Sequence, residues 1–130
     1  MKIKHVFVLV LVLSVSMAIN AQGGPRRTVE ERVKAIHEKL DSAFKLDADK
    51  QAKTDTVFAN YYRQQDKLRE EMRSGGERPD FQAMREKMQP MIEARDKELK
   101  AILSEDQFKK WKEEIEPSMM QRRGGGNRQR

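Results

Sequence analysis

The sequence predicts an all-α protein of four helices. Three observations predict it. Apolar residues recur at steps of three and four, Thr28, Asp47, Asp80 and Ser104 stand where helix N-caps belong, and glycine is confined to positions 23–24, 75–76 and 124–126.

Thr28 precedes Glu31 by three positions, the spacing at which a hydroxyl caps one amide and an acid reaches back to the cap. Val29, Val33, Ile36, Leu40 and Phe44 follow as one stripe, so a first helix is predicted from Val29 to about Ala43. Asp47, directly after Leu46, begins the second. No proline or glycine interrupts the chain before Gly75, and Val57, Phe58, Tyr61, Leu68 and Met72 keep helical spacing around a polar gap at Gln64 and Gln65. At about 1.5 Å per residue this helix spans roughly 40 Å.

Residues 74–79 read as a turn, with Asp80 capping the next helix. Phe81, Met84, Met88, Met91, Ile92, Leu99 and Ile102 mark that third helix, of similar length and predicted to return antiparallel to the second as a long hairpin. Pro90 lies inside that pattern and predicts a kink, because the stripe resumes in phase at Met91. Ser104 and Gln107 form a second capping box, Leu103 packs at the corner, and Phe108, Trp111 and Ile115 form the apolar side of a fourth helix predicted to end at Pro117.

The ends read differently. Lys2, Lys4 and His5 precede an apolar run, then small residues with Ala18 and Ala21 as cleavage points, the order of a secretory signal peptide over 1–21. That run is too short to span a bilayer stably, so membrane contact is expected only before cleavage. Residues 22–27 read as a flexible leader, 28–117 as the helical domain and 118–130 as a disordered basic tail. The net charge of +6 sits in the ends, since all 21 acidic residues lie between Glu30 and Glu116. There is no cysteine, so the chain folds without disulfides.

Two helix starts share a form: Leu46, Asp47, Ala48, Asp49, Lys50, Gln51, and Leu103, Ser104, Glu105, Asp106, Gln107. Behind a signal peptide in a short, Met-rich chain, they resemble the LTxxQ motif pair of the Spy/CpxP family of periplasmic proteins. Ser104 stands for threonine in the second copy. In the first, Asp47 stands for threonine and Gln51 falls one place late. The resemblance implies a thin, cradle-shaped homodimer paired along its long helices and a periplasmic location. It also implies one of three roles: an ATP-independent chaperone, a regulator of an envelope-stress sensor kinase, or a metal-binding relative.

Binding of non-native client proteins needs a surface that is apolar, charged and adaptable. Phe58, Tyr61, Tyr62, Met84, Met88 and Met91 are the candidate contact residues, with Arg63 and Arg85 adding longer-range attraction. A regulator docking on the extracytoplasmic domain of a sensor kinase is the alternative, with the basic tails as docking arms. His37 is the only histidine after the leader and makes a poor zinc site by itself. The acids alternate with lysine at helix spacing, as in Glu93 with Lys97 and Glu105 with Lys109, which marks a solvated face. No enzymatic activity and no cofactor are expected, and export argues against nucleic acid as partner of the Arg/Gly tail.

Overall fold

A computed structural model describes residues 26–76 and 80–124, with side chains through residue 120. Among these residues the fold is all-helical: α1 (Val29–Phe44), α2 (Ala48–Ser74), α3 (Phe81–Ile102), α4 (Glu105–Lys110), a π-helical segment (Trp111–Ile115) and α5 (Glu116–Gly124). The last three run on as one helical stretch. The proposed signal peptide and residues 22–25 of the leader lie outside the described residues, as do residues 125–130 of the tail. Among the described residues no helix is long and apolar enough to cross a membrane.

The caps form as the sequence predicts. Thr28 Oγ1 accepts from the Glu31 amide at 3.2 Å while the Thr28 amide donates to Glu31 Oε2 at 2.9 Å. The Ser104 hydroxyl accepts from the Gln107 amide at 3.2 Å, and the Ser104 amide donates to Gln107 Oε1 at 3.0 Å. Asp47 Oδ1 accepts from the Lys50 amide at 2.9 Å, and Asp80 Oδ1 from the Gln82 amide at 2.9 Å. Because Ser104 is exposed, Ser104→Ala is expected to cost about 1 kcal/mol, read as a lower urea midpoint with an unchanged slope.

Gln51 does not complete the first cap. It lies one position too late to reach back, so its side chain is buried and donates from Nε2 to the His37 carbonyl at 3.2 Å, tying the start of α2 to α1. Leu46 is half-buried against the core and Leu103 is buried. Both motif leucines therefore anchor corners.

The predicted stop at Pro117 does not occur, and residues 118–124 are helical rather than irregular. In an α-helix Pro117 would lack one hydrogen bond and press on the carbonyl four residues earlier. Here the preceding turn is widened. The Glu116 amide donates to the Trp111 carbonyl, five residues back, and that wider spacing gives the proline ring room. α3 likewise continues through Pro90 without a break.

α1 and α2 run in opposite directions: Arg32, early in α1, pairs with Asp66 late in α2, whereas His37 Nδ1 meets Asp55 Oδ2 at 2.8 Å. α2 packs against both α1 and α3. One core joins α1, α2, the second half of α3 and the π segment around Ile36, Leu40, Phe58, Leu99 and Trp111. The Trp111 ring stands edge-on to Phe58, centroids 5.2 Å apart, in the geometry aromatic pairs prefer. The part of α3 before Met91 stays outside this core. No α3 residue before Arg95 is fully buried, and Phe81 is 82% exposed.

Candidate functional site

Because α2 packs against both neighbours, α1 and the α3–α5 side rise from it as two walls, leaving an open groove of about 1380 Å³. Phe58, Tyr61, Tyr62 and Gln65 of α2 lie at its base. Ala35, Ile36, Lys39 and Ser42 form the α1 wall, and Met88, Ile92, Met119 and Met120 the opposite one. The volume exceeds the roughly 300–1,000 Å³ usual for small-molecule sites. A polypeptide segment fits it better.

The expected contact residues separate in the structure. Phe58, Tyr61 and Tyr62 are only 1%, 8% and 8% exposed, so they form the base of the groove and support its shape more than they offer area. Aromatics on two faces of α2 predict exposure for one of them, but α1 covers the second face, with the Arg32 guanidinium 4.7 Å from the Tyr62 ring centre. Met88 is half-buried on the groove wall, and Met91 packs against the core. Met84 is half-buried and Arg85 exposed, both on the first half of α3 and outside the groove lining. Arg63 is exposed and lines a separate, smaller hollow of about 620 Å³ beside His37 and Asp55.

Sequence reasoning misses Ala35, Lys39, Ile92, Met119 and Met120 as groove residues. The two methionines read as part of an irregular tail, and the widened turn that carries them past Pro117 leaves no signature in the residue pattern. The polar gap in α2 is also misleading. Gln65 is 5% exposed and donates from Nε2 to Tyr61 Oη at 2.8 Å, so it belongs to the groove base.

A buried ion cluster holds the α3–α5 wall. Arg95, 4% exposed, donates to Asp96 Oδ1 at 2.6 Å and Glu116 Oε1 at 2.6 Å, while Lys112 reaches Asp96 Oδ2 at 2.9 Å and Glu116 Oε2 at 2.6 Å. The Arg95 guanidinium also lies 4.7 Å from the Tyr61 ring centre and 5.8 Å from that of Trp111. Burial would lower its proton affinity, but the hydrogen bonds and charges of Asp96 and Glu116 outweigh burial and raise it. Lys112 is raised above its ordinary value by the same two carboxylates, again against burial. Tyr61 is raised chiefly by burial of its phenol.

These shifts set an alkaline limit. Lys112 and Tyr61 both favour their protonated forms in the fold, so their stabilisation is complete below the unfolded values of 10.5 and 10.0 and is lost as pH climbs through the higher folded ones. Unfolding midpoints followed by circular dichroism are expected to fall above about pH 10, less steeply in Lys112→Met. A midpoint that stays constant through the alkaline range would remove this linkage.

Comparison with protein-family models, curated proteins and solved structures gives no match. Fold and site therefore define a class by themselves: an all-helical protein with an open groove, basic and apolar at once.

Proposed function

We propose that this protein is an exported, Spy/CpxP-like chaperone that binds unfolded or partly folded polypeptides in the groove without ATP. The observation that carries the reading is the lining itself. Methionine and isoleucine side chains supply adaptable apolar area, and arginine and lysine beside them supply attraction at longer range and keep the surface soluble. In this reading residues 1–21 direct export to the periplasm, α2 and α3 form the long hairpin, and two protomers pair into a thin cradle. Half-buried Met84 and exposed Phe81 on the first half of α3 leave apolar area for a second copy.

An aggregation assay with two unrelated client proteins, without nucleotide, tests the proposal. Suppression of both is expected. Met88→Ser/Met120→Ser should weaken suppression while leaving far-ultraviolet circular dichroism unchanged. Protection of neither client, with tight binding to one sensor domain, would support the envelope-stress regulator instead.

A further inference from the structure

We infer that the groove is shaped and charged for an acidic amphipathic helix, a more specific occupant than an arbitrary unfolded segment, and one that presupposes the groove is a polypeptide site. The two walls differ in kind. The α1 side, with the coil before it, contributes the exposed cations Arg26, Arg27 and Lys39, and α2 adds Arg73. The opposite wall contributes Met88, Ile92, Met119 and Met120.

The charge across the groove is unbalanced where a ligand would meet it. Two of the lining acids are already engaged, Asp66 by Arg32 and Glu116 by Arg95 and Lys112. Glu38 and Glu70 remain on the basic side, against Arg26, Arg27, Lys39 and Arg73. An occupant with carboxylates along one face and aliphatic side chains along the other matches both walls at once. The chain's own C-terminal arginines carry the wrong sign to fill the groove.

The helical form follows from backbone hydrogen bonding. Apart from the coil at Arg26 and Arg27, the groove is bounded by helices whose amides and carbonyls are bonded within their own turns, so it presents mainly side chains and, among the described residues, no strand edge. An extended segment would lie there with its backbone polar groups unpaired on the walls, whereas a helix satisfies its own. The walls also suit helix-in-groove recognition, in which an apolar stripe seats on methionine and the opposite face stays polar.

Three labelled peptides of fourteen residues test this by fluorescence anisotropy with the purified protein. The first places glutamate and leucine on opposite helical faces, the second scrambles the same composition, and the third replaces glutamate by lysine. The first is expected to bind at least tenfold more tightly than the others and to gain helical circular dichroism on binding. Its advantage over the lysine peptide should shrink several-fold in Lys39→Glu/Arg73→Glu, two exposed positions, and its affinity should fall in Met120→Ser. Equal binding of the scrambled peptide, or a bound peptide without helix, overturns the inference while leaving suppression of aggregation intact. Failure of all three peptides together with failure to suppress aggregation overturns the proposed function as well.

Discussion

Arg95→Ala is expected to destabilise the protein by about 3–5 kcal/mol, the usual loss when one partner of a buried ion pair is removed. The guanidinium is 4% exposed and faces two carboxylates, so its removal leaves Glu116 and Asp96 with Lys112 as their sole remaining partner in the cluster. Tyr61 and Trp111 lose a cation at their faces in the same step. Urea unfolding should show a large drop in midpoint. Arg95→Met/Glu116→Leu should recover most of it, because an apolar pair of similar volume needs no charge compensation while Lys112 and Asp96 keep each other. A double variant as unstable as Arg95→Ala would show that the Arg95–Glu116 pair itself stabilises the fold, beyond the cost of leaving a carboxylate unpaired.

Trp111→Ala is expected to cost a similar amount, about 3–5 kcal/mol, through loss of a large buried ring and the cavity left behind. The ring is 2% exposed and meets Phe58 edge-on at the junction of α2, α3 and the π segment. Trp111→Phe should lose much less. Trp111 Nε1 is buried without a hydrogen-bond partner, so phenylalanine removes an unpaired donor while keeping an aromatic edge on Phe58. Thermal unfolding followed by far-ultraviolet circular dichroism distinguishes the two, and equal losses would mean that a phenyl ring recovers none of the packing the indole provides.

The helices α1 to α4 are readable from the sequence because each carries a local signal: a cap at Thr28, Asp47, Asp80 or Ser104 and a stripe behind it. Long-range polar contacts are harder. Arg32 and Arg95 are buried, yet each stands where a solvated helix face is equally consistent with the pattern. Arg95 does leave a trace, since it falls in phase with Met88, Ile92 and Leu99 on α3. The aromatic cluster of α2 is visible in the residue pattern, but its burial is not, because the pattern does not say which helix will cover which face. Pro117 fails as a stop signal because its usual effect assumes an undistorted turn ahead of it, and that turn is widened.

The widened turn also works as a phase shifter. In an ordinary helix each residue advances about 100° around the axis, so one surplus residue rotates everything downstream by that amount relative to everything upstream. Lengthening Trp111–Ile115 by one step thus aims Met119 and Met120 at the groove while Phe108 keeps its own bearing. Straightening this stretch into an ordinary α-helix, with no residue lost, would turn both sulfur-bearing side chains aside by about 100°, whereas a single-codon deletion within it would remove the surplus residue and leave their bearing intact.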